Sequence, residues 1–179
     1  MIFDLDGTLI DSIGGTVDAL NGVLKTLGRR RISRDDAIRF SGDGAAALVA
    51  RAVAATGVAA APGALDELIL RYERLRHARA DQTAALFPGV TDALARLAAQ
   101  GAPMAICTNR PFRNAAALAA RFGLDRYVSE IIGADTLGAR KPDPAPVREA
   151  LRRLGVAPAD AVFVGDAAED RDAARAAGL

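Results

Sequence analysis

Asp4-Leu5-Asp6-Gly7-Thr8 follows the apolar pair Ile2-Phe3 and sets two carboxylates beside a glycine turn, at the end of a predicted buried strand. In an extended strand, residues two apart project to the same side, so Asp4 and Asp6 can face one site. The glycine lets the backbone turn closely around a ligand. The stretch therefore predicts carboxylates placed for chemistry on a phosphate. Aspartate and glycine are also ordinary turn and cap residues, so the pentapeptide alone leaves a plain strand-to-helix turn open.

Four short apolar runs, each followed by small or polar residues, predict a parallel sheet. They are residues 2–3, 104–107, 131–132 and 162–164. Uninterrupted apolar runs suit strands that are buried on both faces. Helices are predicted near residues 111–122 and 146–154, each with proline in its first turn and glycine after its end. This alternation predicts an α/β fold with a doubly wound parallel sheet, whose ligands bind at the carboxyl ends of the strands.

Residues 12–85 do not follow this alternation and are predicted to be helical. Val17, Leu20, Leu24 and Leu27 share one helical face, and further amphipathic helices are predicted near residues 45–56 and 65–80. We therefore predict a catalytic core of residues 1–11 and 86–179, and an inserted all-helical cap of residues 12–85. Such an insertion can act as a lid that excludes water and selects substrate. The alternative is a helical subdomain that only adds stability.

Composition narrows the class of protein. A chain of 179 residues that is 51% hydrophobic can fill one core and a smaller satellite domain. Its formal net charge of +1 does not favour a nucleic-acid or anionic-membrane partner, and no apolar run approaches the roughly 18 residues of a membrane span. We expect a soluble, cytoplasmic protein. One cysteine and one histidine exclude an intrachain disulfide and argue against a zinc site.

Three later segments place polar side chains after the remaining strands. Thr108-Asn109 opens a helix, where backbone N–H groups and a hydroxyl can bind an anion, although an ordinary helix cap explains them equally. Lys141 lies in a proline-stiffened loop that would hold its side chain at low entropic cost, whereas a solvated lysine is the default. Asp166 and Asp170 lie at the last strand end and in the next helical turn, where acids also compensate a helix dipole.

The gathered carboxylates predict a metal ion. Several carboxylates at one sheet edge repel one another, so some must be protonated or a cation must bind. Oxygen ligands without a cysteine or histidine cluster favour a hard ion. The sequence therefore predicts Mg²⁺ as the cofactor.

Taken together and in this order, the motifs resemble those of the haloacid dehalogenase superfamily, in its phosphatase branch. The matching pieces are residues 4–9, Thr108-Asn109, Lys141-Pro142, and Gly165-Asp166 with Asp170, and the resemblance covers almost the whole chain. It implies a Mg²⁺-dependent phosphomonoester hydrolase that forms an aspartyl-phosphate intermediate. Family members continue with a further strand and helix past the position matching Leu179, and the first strand here is short. An open sheet edge is therefore expected.

The resemblance also implies roles for the first two aspartates. Asp4 would be the nucleophile and a metal ligand. Asp6 would protonate the leaving alcohol and then deprotonate the hydrolytic water, while its backbone carbonyl contacts the metal. Dehalogenases of the superfamily lack an aspartate matching Asp6, so this residue favours phosphate transfer.

The later motifs receive roles by the same resemblance. Thr108, Asn109 through its backbone, and Lys141 would hold the phosphoryl oxygens, where charge is stabilised during transfer. Asp166 would ligate Mg²⁺ directly. Asp170 would orient a metal-bound water or Lys141.

The cap points to a substrate class. The insertion and the stretch Ser41-Gly42-Asp43-Gly44-Ala45 look like the phosphoglycolate phosphatase group, in which this loop lies over the substrate. Gly42, Asp43 and Gly44 are therefore predicted to bind substrate, although a turn before a helix explains them equally. Phosphoglycolate is the first substrate prediction within the expected class of small phosphorylated metabolites. A sugar-phosphate phosphatase or a phosphomutase stays open, because mutases keep both aspartates.

Two alternatives belong to a different class. A receiver domain uses an acceptor aspartate, an acidic pair, threonine and lysine around Mg²⁺ as a phosphorylation switch. Its acidic pair precedes the acceptor and no helical insertion follows, which is the opposite of the order here. The second is a non-enzymatic, phosphate-binding relative. The oligomeric state is left open.

Overall fold

The computed structural model of this protein describes residues 1–41, 44–79 and 83–179. They divide into two compact units, Met1–Asp11 with Leu86–Leu179, and Ser12–Ala85. None of the helices in these described ranges has the length and apolar character needed to cross a membrane.

Strands and helices alternate along the first unit, as expected, and the second unit consists mainly of helices. In chain order, the elements are β1 (Ile2–Phe3), β2 (Ile10–Asp11), α1 (Ile13–Thr26), α2 (Arg34–Phe40), α3 (Gly44–Thr56), α4 (Pro62–Arg79), β3 (Ala85–Leu86), α5 (Val90–Ala99), β4 (Ala105–Cys107), α6 (Phe112–Arg121), β5 (Glu130–Ile132), α7 (Ala145–Leu154), β6 (Phe163–Val164) and α8 (Ala168–Ala177). Short 3₁₀ helices span Leu124–Arg126 and Pro158–Asp160.

A four-stranded parallel sheet organises the first unit, with the strands in the order β5-β4-β1-β6. Ile2 of β1 is in register with Ala105 of β4 on one side and with Phe163 of β6 on the other. Helices α7 and α8 contribute the residues that pack with Ile2 and Ala105 in one buried cluster. The α/β prediction with a parallel sheet is confirmed, and the central strands are fully buried, as their apolar runs predicted.

The last apolar run differs from its prediction. Val162 is 53% exposed and Val164 is 36% exposed. The reason is that β6 lies at one edge of the described sheet, so it has a neighbouring strand only on the β1 side. The expectation that this strand is buried on both faces is therefore wrong, and an apolar run by itself did not distinguish an edge strand from a central one.

The second unit is built from α1 to α4. Its buried cluster includes Leu20 and Leu24 of the predicted helical face, with Leu48, Val53 and Tyr72 from the later helices. Leu27 is different, because α1 ends at Thr26 and the leucine that follows is 39% exposed. Helix α2 was not predicted, although Ser33 and Asp36 form the reciprocal capping hydrogen bonds that mark its start.

Candidate active site

The predicted motif residues of the first unit meet at the carboxyl edge of the sheet. Asp4 directly follows β1, Thr108 directly follows β4, and Asp166 comes two residues after β6. The Asp4 N–H donates to the Val164 carbonyl at 2.8 Å, which continues the pairing of β1 with β6. Because these strands are parallel and adjacent, their ends bring together residues that are far apart in the sequence.

The turn after β1 is tightly closed around Gly7. The Gly7 N–H donates to the Ile10 carbonyl at 2.8 Å, and Gly7 has φ of +89°. A Cβ at this position would lie 2.3 Å from a carboxylate oxygen of Asp166. Glycine is therefore required both by the left-handed backbone and by the close approach of Asp166. The Thr8 hydroxyl donates to Asp166 Oδ1 at 3.1 Å and holds that carboxylate beside the turn.

Lys141 is the buried centre of the site. Its Nζ donates to Asp4 Oδ1 at 2.7 Å, to Asp170 Oδ1 at 2.5 Å and to the Cys107 carbonyl at 2.8 Å. These contacts use all three ammonium protons. Lys141 is only 3% exposed, so the solvated lysine that the sequence left as the default is ruled out.

Asp170 is fixed from two sides. It lies in the first turn of α8 and is buried, and its Oδ2 accepts from the Ala167 N–H at 3.0 Å. A Cβ at Gly165 would lie 2.5 Å from the same oxygen, so glycine there leaves room for the carboxylate. Asp170 therefore acts both as a helix-end hydrogen-bond acceptor and as a partner of Lys141.

The charges of this cluster are unusual. Burial raises the pKa of Asp4 to about 7, because loss of hydration outweighs the attraction of Lys141, and the Asp170 carboxylate adds to the rise. For Lys141, burial acts to lower the pKa, but the nearby Asp4 and Asp170 carboxylates prevail and raise it. The Lys141 ammonium therefore stays charged, whereas the pKa of the Asp4 carboxyl lies near neutral pH.

Three carboxylates form a group that could hold a metal ion. Oxygens of Asp4, Asp166 and Asp170 all lie within 4.8 Å of one another. The Lys141 ammonium pairs with Asp4 and Asp170, so if all three carboxylates are ionised the group has an excess of two negative charges. A divalent cation would balance that excess and favour the charged form of Asp4. All donors are oxygens, which fits a hard ion. The cluster joins two buried aspartates to the exposed Asp166, and its excess negative charge and oxygen donors fit the predicted kind of metal.

Asn109 ties two of the motif loops together through its side chain. Its Nδ2 donates to the Lys141 carbonyl at 2.9 Å, and its Oδ1 accepts from the Lys141 N–H at 2.8 Å. The sequence assigned a role only to the Asn109 backbone. The side-chain contacts add a second one, because they fix the backbone from which the Lys141 side chain projects.

Thr108 and the start of α6 are held by internal hydrogen bonds. Thr108 is buried, and its Oγ1 accepts from the Arg110 N–H at 3.1 Å. The Phe112 N–H, at the first position of α6, donates to Asp135 Oδ1 at 2.7 Å. These two N–H groups of the predicted anion site therefore already have protein acceptors.

Arg110 is the site residue that sequence reasoning missed. Its Nε donates to Asp6 Oδ2 at 2.9 Å and its Nη2 to Asp6 Oδ1 at 2.6 Å. The two residues are 104 positions apart, so spacing gave no signal of the pair. An arginine directly after Thr108-Asn109 was the only available hint.

Of the three residues of the predicted cap that are expected to bind substrate, only Gly44 is among the described residues. Gly42 and Asp43 lie outside the described residues. Gly44 begins α3 with φ of +83°. Substrate binding by residues 42–44 stays a prediction.

The comparisons with known proteins agree with the geometry. The family model of haloacid dehalogenase-like hydrolases matches residues 1–178. This chain therefore belongs to the haloacid dehalogenase-like hydrolase family, and the sequence-based assignment is confirmed.

Individual relatives carry more specific names. A phosphoglycolate phosphatase from Rhodospirillum rubrum is 42% identical over 183 residues, covering 100% of this chain and 76% of that protein. The crystal structure of a predicted phosphoglycolate phosphatase from Haemophilus somnus has a TM-score of 0.81 and 30% identity, covering 99% of this chain and 80% of that one. A structure from Thermotoga maritima, provisionally named a β-phosphoglucomutase, has a TM-score of 0.75 and 25% identity, covering 99% and 81%.

Proposed function

We propose that this protein is a Mg²⁺-dependent phosphatase that hydrolyses phosphoglycolate through an aspartyl-phosphate intermediate. The observation that carries the proposal is the buried cluster in which Lys141 joins Asp4 to Asp170 beside Asp166. The substrate follows the name of the Rhodospirillum rubrum relative, which is 42% identical over the whole of this chain. Phosphorylated small metabolites are the expected partners.

The metal would be held by this chain's own carboxylates. Asp4 and Asp166 would ligate Mg²⁺ directly together with the backbone carbonyl of Asp6, and Asp170 would orient a ligand or Lys141. When bound, Mg²⁺ supplies positive charge that neutralises the phosphoryl oxygens and the nucleophile. The Asp4 carboxyl, whose pKa is about 7, then carries its negative charge at neutral pH.

The first chemical step transfers the phosphoryl group to Asp4. A carboxylate oxygen of Asp4 attacks phosphorus and forms a new O–P bond while the ester O–P bond breaks. The leaving oxygen takes a proton from the protonated carboxyl of Asp6, so that the alcohol departs neutral. Lys141 and Thr108 would stabilise the phosphoryl oxygens.

The second step returns the enzyme to its starting state. Asp6, now a carboxylate, accepts a proton from a water molecule as the water oxygen attacks phosphorus. The bond between phosphorus and Asp4 breaks, inorganic phosphate is released, and Asp6 is protonated again. Atoms and charges balance over the two steps, with one water consumed for each ester.

The helical unit Ser12–Ala85 is the proposed cap, and the core is the proposed catalytic domain. We propose that the cap selects the substrate, with residues 42–44 among its contacts. This role rests on the resemblance to the phosphoglycolate phosphatase group.

The test is phosphate release from a panel of phosphoglycolate and several sugar phosphates, with and without Mg²⁺. Asp4→Asn serves as the inactive variant and Asp172→Asn, an exposed aspartate paired with Arg171, as the matched control. A preference for phosphoglycolate supports the proposal. Release only from sugar phosphates would keep the mechanism and overturn the substrate. No release from folded, Mg²⁺-treated protein would overturn the function.

A phosphomutase is the second candidate, favoured by the fold similarity to the Thermotoga maritima structure. Incubation with a hexose 1-phosphate distinguishes the two, because a mutase yields an isomeric sugar phosphate and a phosphatase yields free sugar with inorganic phosphate.

A further inference from the structure

The strongest feature that the proposed mechanism does not use is the guanidinium of Arg110, which pairs with the Asp6 carboxylate. It engages both carboxylate oxygens, with Nε 2.9 Å from Oδ2 and Nη2 2.6 Å from Oδ1. Two parallel hydrogen bonds of this kind recognise a carboxylate by its shape as well as by its charge. Arg110 therefore presents a binding fork for a carboxylate, beside the residue that the proposed mechanism places at the leaving oxygen.

Arg110 is the fixed partner of the pair. Its N–H donates to Thr108 Oγ1 at 3.1 Å, and its carbonyl accepts from the Ala134 N–H at 3.0 Å. A Cβ at Gly133 would lie 2.9 Å from the same carbonyl oxygen, so the chain packs closely around this backbone. The Arg110 side chain is only 8% exposed. At such a position the fork favours a charged acceptor, because ionic hydrogen bonds are stronger there than in water.

Asp6 is the partner that can move. Its side chain is 23% exposed and turns about two rotatable bonds. The backbone of its turn is closed by other contacts, because the Gly7 N–H donates to the Ile10 carbonyl and the Ile10 N–H donates to the Leu5 carbonyl, both at 2.8 Å. The Asp6 carboxyl can therefore change its rotamer while the turn stays closed.

The proposed mechanism requires Asp6 to leave this ion pair. Asp6 acts on the leaving oxygen as a donor and must turn one carboxyl oxygen toward the substrate, whereas in the pair both oxygens accept from Arg110. The ion pair is therefore the arrangement of the protein before a substrate binds. A carboxylate on the substrate offers the fork the same two acceptor oxygens in one plane, so it can take the place of Asp6.

We propose that Arg110 is a specificity-determining residue that binds a carboxylate on the alcohol part of the substrate and exchanges Asp6 for it. The inference rests on the proposed function, in which Asp6 meets the leaving oxygen and phosphoglycolate is the substrate. In phosphoglycolate a single methylene separates the ester oxygen from the carboxyl carbon. A substrate whose ester oxygen meets Asp6 therefore brings its carboxylate close to the neighbouring guanidinium, and binding releases Asp6 for its role.

The experiment compares two phosphate esters that differ in the carboxylate. Ethyl phosphate has a methyl group where phosphoglycolate has a carboxylate. Both release an alkoxide and need the same acid, so damage to Asp6 or to the fold lowers kcat/KM for both esters. Loss of carboxylate recognition lowers the value for phosphoglycolate selectively. The ratio of the two kcat/KM values therefore isolates the proposed contact.

The unaltered protein should prefer phosphoglycolate, and Arg110→Gln should lower the ratio by at least about thirtyfold, the lower end for removing one partner of a buried charge pair. Arg110→Lys keeps the charge without the planar fork and should give an intermediate ratio. It also covers the case in which the glutamine variant does not fold. Arg113→Gln, at an exposed arginine one residue into α6, is the matched control and should leave the ratio unchanged.

Competitive inhibition gives a second measurement, one that involves no proton transfer. In 3-phosphonopropionate a methylene replaces the ester oxygen of phosphoglycolate, so the molecule is not hydrolysed, and propylphosphonate lacks the carboxylate as well. Arg110→Gln should raise the Ki of 3-phosphonopropionate selectively and leave that of propylphosphonate nearly unchanged.

Two outcomes would overturn the inference while leaving the proposed phosphatase activity intact. One is an equal loss for both esters in Arg110→Gln, and the other is an unaltered protein that hydrolyses both esters without preferring phosphoglycolate. Failure of the unaltered protein to hydrolyse either ester would overturn the proposed function and this inference with it.

Discussion

Lys141 Nζ lies 2.7 Å from Asp4 Oδ1, and both residues are buried, with Lys141 3% and Asp4 7% exposed. The contact joins the loop before α7 to the end of β1, across 137 positions of sequence. At a buried position each of these charges needs the other, because removing either one would leave the remaining charge buried without a partner. Substitutions at either residue are therefore expected to change both the stability of the core and the proposed catalytic activity.

Asp4→Asn should abolish phosphate release. The amide keeps the volume of the carboxyl but is not a competent nucleophile, so we expect a loss of at least about a thousandfold in kcat. Phosphate release under saturating phosphoglycolate measures this, and circular dichroism checks the fold. Turnover at the unaltered rate would remove Asp4 from the nucleophile role.

The same substitution should change how stability depends on pH. The pKa of Asp4 is raised from 3.8 to about 7 in the folded chain, so the folded state binds the additional proton and the free energy of unfolding falls as pH rises between those values. In EDTA, the unaltered protein should therefore lose on the order of 4 kcal/mol relative to Asp4→Asn between about pH 4 and pH 7. Urea unfolding at several pH values measures the difference, and parallel curves would contradict the raised pKa.

Lys141→Met should destabilise the metal-free protein by about 3–5 kcal/mol at pH 8, because it leaves the Asp4 and Asp170 carboxylates facing each other without a cation. At pH 5 the loss should be smaller, since Asp4 is then protonated. Lys25→Met, at an exposed lysine of α1, is the control and should be nearly neutral. Equal effects of the two substitutions would show that the buried pair contributes nothing.

Mg²⁺ should raise the melting temperature of the protein, because a ligand that binds only the folded chain stabilises it by about 2.7 kcal/mol at a hundred times its Kd. Asp166→Asn should abolish the rise with little change in the metal-free melting temperature, since Asp166 is exposed. Asp172→Asn, another exposed aspartate, should retain it. A rise that survives Asp166→Asn would place the ion elsewhere.

Gly133→Ala should destabilise the core and disturb the Arg110 backbone. An added Cβ would lie 2.3 Å from the Phe112 nitrogen and 2.9 Å from the Arg110 carbonyl oxygen, both backbone atoms that cannot move aside easily. We expect a loss of about 1–3 kcal/mol, as for other overpacked sites. Gly63→Ala, in a helical position with open space, is the control and should be neutral or slightly stabilising. Thermal unfolding of the two variants decides the matter.

Much of the fold could be predicted because its signals are local. The apolar runs at residues 104–107 and 131–132 correspond to strands β4 and β5, and the predicted helices near residues 111–122 and 146–154 agree with α6 and α7 to within one residue at each end. Glycine after α7 and prolines at its start are short-range features. Helix α2 was not predicted, because seven residues are too few to show a clear apolar periodicity.

The sequence by itself determined the parallel α/β class, the order of the four motifs and the family. Apolar patterns and motif spacing depend on neighbours along the chain, so they can be recognised from the sequence without a structure. The tertiary structure alone decided that one Lys141 ammonium serves both Asp4 and Asp170, and that Arg110 pairs with Asp6. These depend on which strands lie side by side and on where distant side chains meet, and no local periodicity encodes such contacts.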